Sequence, residues 1–474
     1  FYEQTGYLVA AHADEIYLDP QGFVLVEGYG RFRQYYKELL DKIGVQMHVF
    51  RVGAYKSAAE PFMRNDMSPE DREETQAYLD ALWRNYQERV TAARQLPPDA
   101  VDAYVRTIAA RVGAARGDAA QVALDAKLVT ALRTEQQVEE RLIELVGRDE
   151  EQESFKSIAF EDYRRIVAAE KAARATREQR VGVLVAAGEI LDGEQPPGTI
   201  GGDTLAEAIR RARRDDAIKA LVLRIDSPGG SVFASEQIRR ELQAFRATGR
   251  PVVASMSDLA ASGGYYIAAQ ADRIVASPAT ITGSIGIFGI VPTFGGTLGK
   301  IGVGVDGVAT TPLAAQMRLD KPLGPDVSSL LQNWIEKSYR DFVGHVAEGR
   351  KKTPEQIDAV AQGRVWSGRD ALARGLVDEL GGFDAAVKAA AAAAKLKPGD
   401  YDVQFIEPEL SLAERLAQSL GVNIARFAGT LLAREPSSLV TALHALDPLA
   451  REVAKLRAMS VRGASIAYCF CAAP

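Results

Sequence analysis

Mainly apolar runs over residues 181–187, 220–225 and 251–255 alternate with two amphipathic stretches, 203–213 and 235–248, in the middle of the chain. The run 181–187 is uninterrupted, which is typical of a parallel strand that is buried on both faces of a sheet. The stretches between the runs carry apolar residues at helical spacing. Strands that alternate with helices predict a parallel sheet with right-handed crossovers, so the fold class is α/β.

A segment of fifteen residues occurs twice along the chain. Residues 6–20 and 264–278 are identical at eight of fifteen positions, at a constant offset of 258 residues. Weaker matches follow in the same order further along, so the sequence predicts two copies of one domain in tandem. The first copy has no counterpart of the α/β segment 181–258, and we expect that part of the first domain to lie outside this sequence.

The repeat divides the chain into four predicted parts. The charged stretch between the copies is interpreted as a solvated helical connection rather than an acidic docking tail. Leucines at helical spacing after residue 410 predict amphipathic helices that pack on the protein. The four parts are an incomplete N-terminal repeat over 1–147, a linker or helical connection over 148–180, a C-terminal repeat over 181–400 and a helical extension over 401–474.

Composition and charge exclude several classes of protein. The 474 residues include 57 Lys and Arg against 63 Asp and Glu, and the net charge of −6 argues against a general nucleic-acid binder. Cys469 and Cys471 are the only cysteines, which excludes a disulfide scaffold; they are interpreted as a small apolar tail or as partners of another chain, because they are too close for an easy bridge to each other. Four scattered histidines predict neither a metal site nor a metal cofactor.

The longest uncharged stretch, residues 274–299, has the length of a membrane span. Eight glycines and prolines interrupt it. Such a density of helix-breaking residues favours buried strands and turns in a folded core over a membrane helix.

Two glycine-rich turns follow predicted strands in the second copy. Residues 226–231 read Asp-Ser-Pro-Gly-Gly-Ser, and residues 260–265 read Ala-Ala-Ser-Gly-Gly-Tyr. Either turn alone is more often a plain strand-to-helix connection. Together they place a nucleophile, Ser262, and the amides of Gly263 and of Gly229 or Gly230 at adjacent strand ends, where open α/β sheets bind ligands. This combination predicts an oxyanion hole.

A serine nucleophile needs a base, and no histidine lies near either turn in the sequence. Lys56, in the first copy, is surrounded by small and apolar residues, and burial there would lower its pKa. A single lysine is usually a surface residue. However, the second copy has no lysine in the corresponding stretch 306–312, and the first copy has Gln4 where the second has Ser262. This reciprocal asymmetry indicates that one copy supplies the base and the other supplies the nucleophile.

The sequence resembles the long, tandem-repeat form of the bacterial signal peptide peptidase A family. Members of that family are serine proteases with a Ser/Lys dyad and a Clp-protease/crotonase-like fold. The resemblance spans the whole chain. The motifs that carry it are residues 50–62, 226–231, 260–266, 282–289, 363–368 and 375–378.

The resemblance implies a role for each candidate residue. Lys56 would be the general base and Ser262 the nucleophile, the amides of Gly263 and of Gly229 or Gly230 would form the oxyanion hole, and Ser284 would orient the lysine. It also implies a membrane-anchored homotetramer on the periplasmic side of the bacterial inner membrane, which degrades cleaved signal peptides in a hydrophobic groove. The anchor is expected outside this sequence. No cofactor and no nucleic-acid partner are implied.

Two other readings remain open at this stage. A crotonase-like acyl-CoA enzyme would share the fold and the paired amides, although its chemistry usually rests on a carboxylate. A catalytically inactive scaffold of the same fold is the other alternative.

Overall fold

The computed structural model describes residues 1–172, 177–407 and 466–468. The described chain forms two compact units, one built from residues 1–31 and 76–172 and the other from residues 32–75, 177–407 and 466–468. In the sequence, residues 32–75 are part of the first copy. Their contacts nevertheless place them in the unit that contains the second copy. The compact units therefore do not follow the domain boundaries predicted from the repeat, and those boundaries stay a prediction.

The core of the larger unit is an eight-stranded sheet in which every pairing but one is parallel. The exception is the antiparallel pair at one edge, Ile281–Gly283 with Val365–Ser367. Two short strands, Arg273–Ala276 and Glu379–Leu380, branch from the middle of the sheet. The main order is Val365–Ser367, Ile281–Gly283, Val252–Ala261, Ile218–Ser227, Arg180–Ala187 and Asp402–Phe405.

Hydrophobic clusters pack on both faces of this sheet, which explains the uninterrupted apolar run 181–187. Within Arg180–Ala187, Val181 and Val183 face one hydrophobic cluster, whereas Leu184 and Ala186 face the other. The first cluster includes the helix Phe383–Ala393, and the second includes the helices Gly202–Arg214 and Val232–Arg246. The predicted α/β fold with a parallel sheet and flanking helices is therefore confirmed.

A second sheet brings part of the first copy to the larger unit. The strand Gln46–Val52 pairs antiparallel with Ile287–Thr293 over seven consecutive residue pairs. Because Lys56 follows this strand closely, the ladder determines where the lysine lies. The six strands of this sheet are, in order, Ile200–Gly201, Ile190–Leu191, Gly229–Ser231, Ile466–Tyr468, Ile287–Thr293 and Gln46–Val52.

The remaining helices of the larger unit surround these sheets. The long helix Pro325–Arg350 contacts both Gln46–Val52 and Ile287–Thr293. The others are Lys37–Ile43, the 3₁₀ helix Ser57–Phe62, Gly263–Ala268, Gly295–Lys300, Pro312–Gln316, Pro354–Asp358 and Gly368–Ala373. A further long helix, Pro69–Arg94, runs from residues of the larger unit into residues of the smaller one.

The smaller unit consists mainly of helices with short strand pairs. Its helices are Gln4–Ala10, Ala100–Ala114, Ala119–Asp125, Glu135–Val146 and Phe160–Ala172. Its strand pairs are Tyr2–Glu3 with Val24–Leu25, Tyr17–Leu18 with Ala131–Leu132, and the antiparallel Arg148–Asp149 with Ser154–Phe155. The last pair and the helix that follows it occupy the predicted connection between the copies.

Strand pairing confirms the tandem repeat. In the smaller unit Tyr2 pairs with Val24, and in the larger unit Ala260 pairs with Thr282, each residue displaced by 258 positions. The pair of Tyr17 with Ala131 corresponds to the pair of Val275 with Glu379, with displacements of 258 and 248 positions. The smaller unit thus holds a partial copy of the same sheet.

The uncharged stretch 274–299 forms the strands Arg273–Ala276, Ile281–Gly283 and Ile287–Thr293 and the start of a helix, as its glycines and prolines predicted. Among the described residues, none of the helices combines the length and the apolar character needed to cross a bilayer. The leucine-rich stretch 411–433 and both cysteines lie outside the described residues.

Candidate active site

Ser262 lies in a sharp turn between the strand Val252–Ala261 and the helix Gly263–Ala268. Its backbone has φ 55° and ψ −116°, a conformation that non-glycine residues rarely adopt and that costs on the order of 1–3 kcal/mol. Two backbone hydrogen bonds hold the turn: the Ser262 amide donates to the Gly283 carbonyl (2.9 Å), and the Tyr266 amide donates to the Ser262 carbonyl (2.8 Å). The side chain is fully buried.

Lys56 meets Ser262 inside the larger unit, although 206 residues separate them along the chain. The lysine Nζ lies 2.8 Å from Ser262 Oγ. The Lys56 carbonyl accepts a hydrogen bond from Arg51 Nη1 (3.2 Å), and the amide of Tyr55 donates to the Gln362 carbonyl (2.9 Å). Because both flanks of the lysine are fixed in this way, its side chain is held toward the serine.

Gly363 allows the segment around it to pass close to the backbone of Lys56. A Cβ at Gly363 would come within 2.7 Å of the Lys56 backbone nitrogen, and Gly363 itself has φ +80°. Any other residue at this position would be strained and would displace the lysine. The requirement explains why a glycine stands in the motif 363–368.

The environment of Lys56 favours its neutral form. The residue is only 2% exposed, and its neighbours in sequence, Ala58 and Ala59, belong to a small apolar cluster with Phe288. Burial lowers the pKa of Lys56 to about 7, although the negative charge of Glu74 opposes this shift. At neutral pH a substantial fraction of the lysine therefore carries a free lone pair.

Ser284 provides two further contacts to the lysine. Lys56 Nζ donates to the Ser284 carbonyl oxygen (3.1 Å) and to Ser284 Oγ (3.0 Å). Ser284 also has a positive φ of 50°, and its amide donates to the Arg364 carbonyl (2.7 Å). When the amine is neutral, these two acceptors take its two hydrogens and leave its lone pair for the hydroxyl of Ser262.

The three predicted oxyanion glycines lie in the same unit as Ser262 and Lys56. Gly263 is the first residue of its helix, so its N–H has no partner in the helical ladder. Gly229 and Gly230 form the short strand Gly229–Ser231, both with positive φ. The amide of Gly229 donates to Ser227 Oγ (3.1 Å) in this structure.

Sequence reasoning missed Glu74 and Ser227. Glu74 is 4% exposed, and its Oε2 accepts a hydrogen bond from the amide of Val365 (3.2 Å). A carboxylate on a charged helix gives no sequence signal of burial. Ser227 belongs to the first glycine-rich turn, so that turn identified its position but not its contact with Gly229.

Comparison with known proteins adds independent evidence. The family model of peptidase family S49 matches residues 2–149 and 244–397. Protease 4 of Salmonella typhi is 45% identical over 444 residues, which are 94% of this chain and 70% of that protein. Protease 4 of Haemophilus influenzae is 41% identical over 389 residues, 82% of this chain and 63% of that protein. The chloroplastic serine protease SPPA of Arabidopsis thaliana is 30% identical over 422 residues, 87% of this chain and 60% of that protein.

The chain thus spans about two thirds of the length of these relatives. Among solved structures, a point mutant of ClpP1 from Listeria monocytogenes aligns with a TM-score of 0.29 and 15% identity, covering 43% of this chain and 94% of that chain. A membrane-bound stomatin-specific protease, solved as a point mutant in complex with a substrate peptide, aligns with a TM-score of 0.31 and 15% identity, covering 51% of this chain and 98% of that chain.

The chain has a parallel α/β core with a buried serine in a strained strand-to-helix turn. Together with the Protease 4 and SPPA relatives, these features define a serine peptidase. The match to the family model and the identity to the Protease 4 sequences specify it further. The chain belongs to peptidase family S49.

Proposed function

We propose that Ser262 and Lys56 form the catalytic dyad of a serine endopeptidase. The observation that carries the proposal is the 2.8 Å contact between Lys56 Nζ and Ser262 Oγ, in which both groups are buried. The depressed pKa of the lysine supports it, because a general base works best when its pKa is close to the working pH.

In the acylation step, neutral Lys56 accepts the proton of the Ser262 hydroxyl while Oγ attacks the carbonyl carbon of the scissile peptide bond. The resulting oxyanion is stabilised by the amides of Gly263 and of Gly229 or Gly230. The ammonium of Lys56, held by the two oxygens of Ser284, then donates its proton to the leaving amine. The C–N bond breaks and the acyl-enzyme remains.

Deacylation repeats the proton transfers with water as the nucleophile. Lys56 accepts a proton from the water that attacks the ester carbonyl, and it returns that proton to Ser262 Oγ as the acid product leaves. This cycle consumes one water per peptide bond and needs neither a metal nor an organic cofactor.

We further propose that the substrates are apolar peptides, above all cleaved signal peptides, and that the enzyme acts as a homo-oligomer at the periplasmic face of the bacterial inner membrane. The family resemblance motivates this part of the proposal. An exposed apolar side chain agrees with it: Phe233, two residues after the strand Gly229–Ser231, is 71% exposed.

A fluorophosphonate probe tests the reaction class directly. The proposal expects covalent labelling at Ser262, mapped by peptide mass spectrometry, and the loss of labelling in the Ser262→Ala variant. The crotonase-like alternative expects no labelling together with turnover of a CoA thioester. An inactive scaffold expects neither.

A further inference from the structure

One short backbone segment is bonded to both sides of the candidate active site. The carbonyl of Gln362 accepts a hydrogen bond from the amide of Tyr55 (2.9 Å), the residue directly before Lys56. Two residues further on, the carbonyl of Arg364 accepts from the amide of Ser284 (2.7 Å). The segment therefore joins the stretch that carries the proposed base to the turn that carries the acceptors of its amine.

The side chain of Arg364 adds a second link to the same stretch. Its Cζ lies 4.7 Å from the ring centroid of Tyr55 and 4.5 Å from that of Trp366, within the range of cation–π contacts. Its Nη1 donates to the Tyr55 hydroxyl (3.1 Å), and its Nη2 lies 2.9 Å from Glu73 Oε1. The Glu73 side chain is 58% exposed, and exposed ion pairs contribute little. The two rings, rather than this ion pair, therefore hold the guanidinium in place.

One atom of the guanidinium is poorly accommodated. The Nε of Arg364 is buried, and no residue in the described part of the chain accepts a hydrogen bond from it. A buried donor without an acceptor is destabilising compared with an apolar group of the same shape. Stability alone therefore does not account for an arginine at this position.

We propose that Arg364 is a positioning residue of the active site, which holds the stretch of Tyr55 and Lys56 in place against Ser284. The inference rests on the proposed function, because it takes Lys56 as the base of the dyad. The side chain of Arg364 fixes Tyr55 and its carbonyl fixes Ser284. A single residue thus sets the separation of the two segments whose groups meet at Lys56 Nζ.

Loss of the guanidinium should leave Lys56 less well packed and more hydrated. Burial is the larger influence on the pKa of Lys56, and the charge of Glu74 is the smaller, opposing one. Glu74 accepts from the amide of Val365, the residue after Arg364, so it belongs to the same network. Because burial is the larger influence, added hydration should raise the pKa of Lys56 even if Glu74 also shifts.

The test compares Arg364→Met with the unmodified chain on an apolar peptide ester. We expect kcat to fall about 10- to 100-fold with little change in KM, because the base is misplaced while the substrate site is kept. The midpoint of the rise in kcat/KM with pH should move upward from about 7, by on the order of 1 pH unit. The rate of fluorophosphonate labelling at Ser262 should show the same displacement, independently of peptide binding.

Arg364→Lys separates stacking from charge. The ammonium keeps a positive charge opposite Glu73 but offers no planar group to the two rings. We therefore expect Arg364→Lys to behave like Arg364→Met. Activity restored to the unmodified level by lysine would show that charge alone is needed, and the positioning role would be wrong.

Arg250→Met is the matched control for stability. Arg250 lies in the same unit, with its Cζ 4.4 Å from the ring centroid of Phe245, and donates to the carbonyls of Ile218 (2.8 Å) and Asp215 (3.0 Å). Its loss leaves these carbonyls without that donor, so the melting temperature should fall by more than in Arg364→Met. The value of kcat and the pH midpoint should nevertheless stay unchanged.

The remaining outcomes decide against the inference or against its basis. An unmodified kcat and pH midpoint in Arg364→Met, or equal changes in Arg250→Met, would overturn the role of Arg364. If Arg364→Met does not fold, Tyr55→Leu removes the half-buried ring from the same contact and should raise the midpoint in the same way; an unmoved midpoint there has the same negative meaning. Full turnover in Lys56→Arg would instead disprove the dyad itself, and the positioning role with it.

Discussion

The two copies of the repeat use the same strand-to-helix turn for different purposes. In the second copy Ser262 precedes its helix with φ 55° and contacts Lys56. In the first copy the equivalent residue, Gln4, is the first residue of its helix, and its Oε1 accepts hydrogen bonds from the amides of Glu27 (3.1 Å) and Gly28 (2.8 Å). The fold provides the turn in both copies, but only the turn of the second copy has the strained geometry and a serine.

The helices Lys37–Ile43 and Gly295–Lys300 are equivalent in the two copies, and the stretches that follow them also differ. Here it is the first copy that carries the candidate catalytic residue. In the first copy, the stretch leads through a strand to Lys56, which is buried. In the second copy, residues 304–310 form no strand and are exposed, and no lysine follows before residue 321. If Ser262 and Lys56 form the proposed dyad, catalysis in this chain requires both copies, because neither copy holds both residues.

The largest expected effect comes from removing either half of the dyad. Ser262→Ala and Lys56→Arg should each lower kcat/KM on an apolar peptide ester by about 10³-fold or more, and the double variant should lose no more than either single variant. Arginine fails because its guanidinium stays protonated, although charge and length are nearly kept. Turnover near the unmodified rate in Lys56→Arg would disprove the dyad.

Lys56→Met provides the folding control for that comparison. It should be equally inactive yet unfold at no lower temperature, because it removes an ionisable group from an apolar site. The pKa of Lys56 is about 7 when folded and about 10.4 when unfolded, so the unfolded chain binds more protons between these values. The stability advantage of the methionine variant should be fully present below pH 7 and decline as the pH approaches 10.4.

An exchange of residues between the copies should not transfer activity. Adding Gln4→Ser to the inactive Ser262→Ala chain is expected to leave kcat/KM at the level of Ser262→Ala alone. Residue 4 follows an extended N-cap, Glu3 (φ −83°, ψ 163°), rather than occupying a strained turn. Recovery of labelling at residue 4, detected by mass spectrometry, would show that the two turns are chemically equivalent.

Removal of the Ser284 hydroxyl should have an intermediate effect. Ser284→Ala leaves the carbonyl contact to Lys56 Nζ and deletes the contact at Oγ. We expect kcat to fall about 10- to 100-fold with little change in KM, since a hydrogen bond to a charged group contributes ~1.5–3 kcal/mol. Ser338→Ala, at a buried serine bonded within its own helix, is the matched control and should leave kcat unchanged. Equal losses in the two variants would mean that Ser284 acts only in packing.

The smallest expected effect is a shift in pH dependence. Because Lys56 must be neutral, kcat/KM should rise with pH through about 7. Glu74 raises the pKa of Lys56, so Glu74→Gln should shift the rise in kcat/KM to lower pH and increase the relative activity at pH 6. Glu73→Gln, at an exposed neighbour that pairs with Arg364, should leave the midpoint in place. A shift to higher pH in Glu74→Gln would contradict the proposed electrostatic role.

Sequence patterns predicted the strands and helices of the larger unit whose apolar residues face the core. The apolar run 220–225 lies within the observed strand Ile218–Ser227, because both faces of that strand are covered. The run 251–255 was too short, because the strand Val252–Ala261 continues through the polar residues Ser257 and Asp258. The helix predicted over 235–248 begins at Val232, because Ser231 caps it by accepting from the amide of Ala234.

The site was predictable only in part. Ser262 and Lys56 could be selected because the two copies differ reciprocally at those positions. By contrast, one of the two contacts between Ser284 and Lys56 Nζ is made by the backbone carbonyl of Ser284. Glu74, which raises the pKa of Lys56, is a buried carboxylate on a helix rich in charged residues. Neither property is encoded in local residue type, since both depend on where distant segments meet.

The ladder between Gln46–Val52 and Ile287–Thr293 has a consequence for the timing of synthesis. A ribosome makes the lysine first, and the strand that fixes it emerges more than two hundred residues later. At 5–20 residues per second, this interval lasts about 10–40 s. For most of that time the nascent protein has neither Ser262 nor the strand that pairs beside Lys56. The proposed dyad therefore cannot assemble until the second copy has been made and has folded.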